Sequence, residues 1–209
     1  MKKKRIIFDL DHTLMTADYK AEKEYFDSVL GEKSDIFSQM IPLLLDEYEA
    51  NYPRYKIGLL SDFLTKRTGY NISEDIIKGW IDSFGKCPSV IEDGVIDTLE
   101  YLKRNDSSLI VLTNWFLDSQ NERLKSSGLR EYFDGIIAGD IILKPRKEAY
   151  MLAREHYKNK ECLYIGDNLE KDYVGPRSCG IDSILYDKDD KHNNNIVKVK
   201  RMKEIRNLY

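Results

Sequence analysis

Four short segments carry side chains whose types and spacing suit chemistry. The first is Phe8-Asp9-Leu10-Asp11-His12-Thr13-Leu14, with two carboxylates two residues apart and a hydroxyl behind them. The second is Val111-Leu112-Thr113-Asn114, and the third is Leu143-Lys144-Pro145. The fourth is Ile165-Gly166-Asp167-Asn168, with Asp172 five residues beyond Asp167. Together they hold groups able to attack an electrophile, exchange protons, and bind an anion or a hard cation. Alone, each has an ordinary reading as a turn or a helix cap. Their joint placement, each at the C-terminal end of an expected strand, is what calls for chemistry. In an open parallel sheet, ligands bind at the C-terminal edge of the strands.

The elements that must position these segments follow from periodicity. Ile6-Ile7-Phe8 with Leu10 reads as a buried strand, a continuous apolar run of the parallel-sheet kind. After residue 88 strands and helices alternate. Helices are expected over Gly94–Arg104, Phe116–Ser127, Arg146–Tyr157 and Leu169–Ser178. Strands are expected over Leu109–Leu112, Gly135–Ala138, Cys162–Ile165 and Ser183–Leu185, and the last residues should form a short strand and a helix. Such alternation predicts an α/β fold, a Rossmann-like parallel sheet covered on both faces. Residues 17–87 read differently, as four amphipathic helices with no strand between them. Gly31 stops the first, Pro42 should kink or divide the second, Gly69 closes the third, and Ser73 and Gly85 bound the fourth. The expected division is a core of residues 1–16 and 88–209 and a helical insert of residues 17–87.

Composition sets outer limits. The chain has 209 residues, 42% hydrophobic and 33% charged, which suffices for a substantial core. A net charge of -3 gives no nucleic-acid footprint. The basic start, Met1 to Arg5, meets Asp9 after too few apolar residues for a secretory segment, and no run approaches the ~20 apolar residues of a membrane span. Cys87, Cys162 and Cys179 are widely spaced and form no CxxC pair, which favours reduced thiols and a cytoplasmic location. Residues 187–195 are polar and read as an exposed loop. The oligomeric state is open.

The four segments, in this order and spacing, resemble the haloacid dehalogenase-like hydrolase superfamily, and the insert resembles that family's helical cap of the first type. The resemblance implies a phosphatase acting on a small phosphorylated metabolite. It implies that Asp9 attacks phosphorus to form an aspartyl-phosphate, and that Asp11 protonates the leaving oxygen and then activates water, the two jobs of a two-step hydrolysis. Strand alternation would set Asp9 and Asp11 on one side. Mg²⁺, which prefers oxygen ligands, is implied at Asp9, Asp167 and the Asp11 backbone carbonyl. Thr113, Asn114 and Lys144 form the implied phosphate-binding set, Asn114 chiefly through its backbone. Lys144 would also hold Asp9 ionised. Thr13 would steady the catalytic loop, and Asp172 would either bind the metal or orient Lys144.

Other chemistries of the family fit less well. Dehalogenating members lack the second aspartate, and Asp11 is present. A phosphonate hydrolase needs a lysine of lowered pKa from the cap, and Lys20, Lys56 and Lys86 read as solvated charges. A phosphomutase would use the same four motifs. A non-catalytic binding protein would normally have lost one of the motif residues retained here. The aromatics of the insert read mainly as its core, and Trp115 as a residue placed to meet a substrate ring or a neighbour.

Overall fold

The apolar runs assemble into a six-stranded, all-parallel sheet in the computed structural model, which describes residues 4–193 and 195–208. Met1 to Lys3 of the basic start and Asn194 of the polar loop lie outside the described residues. In chain order, β1 (Arg5–Phe8) and β2 (Met15–Ala17) lead into four helices, α1 (Lys20–Leu30), α2 (Ser34–Asn51), α3 (Ile57–Thr68) and α4 (Glu74–Gly85). Then follow β3 (Ser89–Ile91), α5 (Val95–Arg104), β4 (Ser108–Leu112), α6 (Leu117–Ser126) and β5 (Gly135–Ile137). The chain continues with α7 (Lys147–Arg154), β6 (Cys162–Gly166), α8 (Gly175–Ser178), β7 (Asp182–Tyr186), β8 (Lys198–Val199) and α9 (Ile205–Leu208).

The sheet order is β5-β4-β1-β6-β7-β8, which puts β1 between β4 and β6. Phe8 pairs with Val111 on one side and Ile165 on the other. The residues that follow all three strands therefore converge at one edge. Alternating side chains serve the two faces. Ile6 and Phe8 join Leu99, Leu102 and Leu124 in one apolar cluster, while Ile7 joins Ala149, Tyr150 and Ala153 in another. Each buried Leu, Ile or Phe of this kind contributes about 1.5–3 kcal/mol.

The helices α1 to α4 bury a separate aromatic cluster. Phe26 lies edge-on to Phe37 and Trp80, each at 5.1 Å between ring centroids. Gly69 closes α3 with a left-handed φ of 73°, and the Ser73 hydroxyl caps α4 by accepting the N–H of Ile76. Pro42 does not divide α2, which runs unbroken from Ser34 to Asn51. The buried side chains before and after it, Phe37, Ile41, Leu44 and Tyr48, hold both halves on one surface.

Three local features depart from expectation. β2 and β3 pair antiparallel as a ribbon that brackets the helices, and their three-residue lengths are too short to show a period. α7 ends at Arg154, and His156 takes a left-handed φ of 60° that no continuing helix permits. The helix expected from Leu169 begins as a wider π-helical turn, Leu169–Val174, before α8. Among the described residues, no helix is long and apolar enough to cross a membrane.

Candidate functional site

The end of β1 becomes a tight loop. The Leu10 carbonyl accepts N–H groups from Leu14 and Met15, and His12 adopts a left-handed φ of 58°. The strand stops at Phe8, so Asp9 and Asp11 lie on this loop and strand alternation does not relate them. Their carboxylates meet different partners.

Asp9 Oδ1 accepts Lys144 Nζ at 2.6 Å, and the same ammonium donates to Asp172 Oδ1 at 2.7 Å. All three side chains are buried. Asp172 also accepts the Tyr164 hydroxyl at 3.0 Å and the Asn168 N–H at 3.0 Å. The π-helical turn carries Asp172 back over Gly166. A Cβ on Gly166 would lie 2.4 Å from Asp172 Cγ, so only glycine fits there. The Thr13 hydroxyl stands between Asp9 Oδ2 at 3.5 Å and Asp167 Oδ1 at 3.4 Å.

Asp9, Asp167 and Asp172 each bring a carboxylate oxygen within 4.8 Å of the others. Burial pushes the Asp9 carboxyl well above the ordinary range; Lys144 pulls it down, and Asp172 and Asp167 push it up again. Burial and then Asp172 likewise raise Asp167. Burial alone would lower Lys144, but Asp172 and Asp9 outweigh it and raise it. Lys144 thus draws Asp9 toward its ionised form, against burial and two neighbouring carboxylates. Three carboxylates share one ammonium. That donor set, all oxygen and short of positive charge, suits a hard divalent cation.

Asp11 faces α6. Arg123 Nη1 donates to its Oδ1 at 2.6 Å and Gln120 Nε2 to its Oδ2 at 2.8 Å. The Gln120 amide also reaches Thr113 Oγ1 at 3.0 Å, so one side chain ties the first motif to the second. Asn114 clasps the Lys144 backbone. Its Oδ1 accepts the Lys144 N–H at 2.9 Å, and its Nδ2 donates to the Lys144 carbonyl at 3.3 Å and to Glu49 at 2.7 Å. Its amide is therefore engaged within the protein. Glu49, on α2, also takes Lys171 Nζ at 2.7 Å, which links the helical insert to the π-helical turn. A cavity of about 660 Å³ opens between these helices and the loop after β4, with Asp11 and Asn114 on its wall.

The structure thus gathers Asp9, Thr13, Lys144, Asp167 and Asp172 around one point, with Asp11, Thr113 and Asn114 beside them. Sequence reasoning missed Gln120, Arg123 and Glu49. A signal existed for two of them: Leu117–Ser126 is a helix whose inward face is polar, burying Ser119, Gln120 and Arg123. Polar side chains are rarely buried without a task.

A parallel α/β sheet bearing a lysine-bridged carboxylate cluster at its C-terminal edge is a site suited to anion and hard-cation chemistry. Residues 3–180 match the model of the haloacid dehalogenase-like hydrolases, and the chain belongs to that family. It is 23% identical over 200 residues to the pyrimidine 5′-nucleotidase YjjG of Escherichia coli, covering 87% of this chain and 84% of that one. It is 24% identical over 194 residues to a glyceraldehyde 3-phosphate phosphatase of Methanopyrus kandleri, covering 85% and 81%. The L-2-haloacid dehalogenase of Xanthobacter autotrophicus shares the fold with a TM-score of 0.74 at 14% identity, over 99% of this chain and 98% of that one.

Proposed function

We propose that this protein is a Mg²⁺-dependent phosphatase of a small phosphomonoester, with Asp9 as nucleophile. The observation that carries the reading is the Lys144 ammonium held between Asp9 and Asp172, 2.6 and 2.7 Å away, beside a third carboxylate. Asp9, Asp167 and the Asp11 backbone carbonyl would hold the metal, leaving Asp172, with its three protein hydrogen bonds, to orient Lys144. When bound, Mg²⁺ supplies a charge that offsets the carboxylates and lets a dianionic phosphate approach.

Asp9 attacks phosphorus to give an aspartyl-phosphate, dividing one difficult displacement into two. Lys144 and the Thr113 hydroxyl bind the phosphoryl oxygens, where charge grows in the transition state. Asn114 contributes by fixing the Lys144 backbone. Asp11, on the cavity wall, gives a proton to the leaving oxygen and later takes one from water. Thr13 steadies Asp9. Residues 17–87 act as a cap whose cavity receives the leaving group. Asp11 favours phosphate over halide chemistry, since a halide leaves without a proton.

The test is phosphate release from a panel of phosphorylated metabolites with Mg²⁺ and with EDTA, alongside Asp9→Asn. We expect metal-dependent release and a loss of at least ~10³-fold in Asp9→Asn with the fold intact. Undiminished turnover in that variant would refute the covalent mechanism.

A further inference from the structure

The cavity above Asp11 is aromatic and acidic, and that pairing narrows the leaving group. Both tryptophans of the chain, Trp80 and Trp115, line it, with ring centroids 4.5 Å apart. Tyr55 and Phe84, also on its wall, stand edge-on to Trp115 at 5.3 and 6.1 Å.

Trp115 is held against its own preference. Its φ is 90°, an outlier for a bulky side chain. Gly139 enforces it: the Gly139 N–H donates to the Trp115 carbonyl at 2.6 Å, and a Cβ on Gly139 would come within 2.7 Å of the Trp115 nitrogen. Strain of this kind persists only where the surroundings over-determine it, and it gathers at sites that grip ligands. The Trp115 indole N–H is buried and has no partner among the described residues. The rings of Trp80, Tyr55, Phe84 and Phe116 pack around that indole, so it belongs to a tight, strained aromatic wall.

The charged lining is mainly acidic. Glu22 receives the Trp80 indole N–H on one oxygen, and its other oxygen has no hydrogen bond among the described residues. Asp18 and Glu49 add to it. The lining cations have acidic partners elsewhere, Lys20 with Glu24, and Lys23 with Asp27 and Asp35. The neighbouring cations are also taken: Arg123 pairs with Asp11, and Lys171 with Glu49 and Asp46. Among the described residues, the lysines of the wall already face carboxylates, so a second phosphate or a carboxylate on the substrate would have to compete with those pairs.

Building on the phosphatase reading, we propose that the preferred substrate carries a planar heteroaromatic group beyond its phosphate ester and no second anionic group, the ring lying against this aromatic wall with a ring donor meeting the free oxygen of Glu22. A nucleobase and a substituted pyridine share that chemistry. Bisphosphates and phosphorylated carboxylic acids are disfavoured.

Two measurements on the full chain test this. The first compares kcat/KM with Mg²⁺ for adenosine and cytidine 5′-monophosphates and pyridoxal 5′-phosphate against ribose 5-phosphate, phosphoglycolate and ribulose 1,5-bisphosphate. The ring-bearing esters should lead ribose 5-phosphate by on the order of ten- to a hundredfold, the scale of a base stacked on aromatic side chains. The two nucleotides and the pyridine ester distinguish the two sources. Trp80→Leu should collapse that ratio and Trp80→Phe preserve most of it. Glu22→Ala, on a partly exposed position, gives the same readout if Trp80→Leu does not fold.

The second measurement titrates Asp9→Asn protein with the same compounds and follows tryptophan fluorescence, since both indoles report from the cavity. Saturable quenching by ring compounds and none by ribose 5-phosphate is expected. Equal turnover of ribose 5-phosphate without ring-dependent quenching overturns the inference and leaves the phosphatase reading standing. Ring-dependent quenching with no phosphate released from any ester overturns the phosphatase reading and keeps the cavity assignment.

Discussion

Arg123 shows how one side chain can decide what a neighbouring carboxylate does. It is fully buried, yet it donates to Asp11 at 2.6 Å, to Gln120 Oε1 at 2.8 Å and to Ser89 Oγ at 3.2 Å, with its guanidinium 4.6 Å over the Phe84 ring. It cannot lose its proton, so its contribution is a fixed set of donors that hold the Asp11 carboxyl in one geometry. As a positioning residue for the proposed acid–base group, it should act on kcat more than on KM. Arg123→Met should lower kcat at least tenfold with a smaller change in KM, and reduce stability by about 3 kcal/mol in urea melts, because it leaves the partly buried Asp11 without its charge partner. Arg123→Lys should recover part of both. An Arg123→Met enzyme with unchanged kcat and lowered stability would limit Arg123 to a structural role. No local pattern announced the Asp11–Arg123 pair, because 112 residues separate the partners and only the register of β1 beside β4 brings α6 over the first motif.

At the scale of elements, what was legible had a period or a cap. The apolar run Leu109–Leu112 lies in β4 and Val95, Leu99 and Leu102 face inward as their helical spacing predicts, whereas Ile96, expected inward with them, is 43% exposed. What was not legible was set by contacts. The π-helical turn after Asn168 exists because Asp172 must reach Lys144 across a bare Gly166, and no residue within Leu169–Val174 announces it. Gly166→Ala should therefore displace Asp172, loosen Lys144 and cut kcat at least tenfold, at a stability cost of about 1–3 kcal/mol for the overpacked contact. A second element yields a pH prediction. Burial raises the Asp187 carboxyl, but Lys198 at 2.9 Å and the N–H groups of His192 and Lys191 outweigh it and hold it well below the ordinary range. A lowered carboxyl stabilises the fold above its unfolded value of about 3.9 and loses that contribution as pH falls through its lower folded value. The gap in urea midpoint between the wild type and Asp187→Asn should be constant above about pH 5 and narrow below about pH 4. A gap independent of pH would mean that the loop is held by packing instead.

At the scale of the whole molecule, the convergence of distant segments was the most legible feature of all. Strand order alone carries Asp9, Thr113 and Asp167 to one edge, because the strands before them are neighbours in register. The wall that the helical insert places over that edge was not legible, since its aromatics read equally as core and as lining, and most serve as core. That architecture concentrates like charge: Asp9, Asp167 and Asp172 crowd one ammonium, and the first two are driven to raised proton affinity. Repulsion of this kind opposes folding, so the Mg²⁺ of the proposed mechanism should act on the stability of the whole fold as well as on turnover. A ligand that binds only the folded state at a hundred times its Kd adds about 2.7 kcal/mol. For a chain of this length that corresponds to a rise in Tm of roughly 5–10 °C. Asp167→Asn relieves the repulsion and removes a proposed ligand, so the variant should melt at or above the metal-free wild type and gain little from Mg²⁺. Differential scanning calorimetry with and without Mg²⁺, at matched ionic strength, reads both effects. An equal Mg²⁺ shift in wild type and Asp167→Asn would place the cation elsewhere on the surface and remove Asp167 from the metal site.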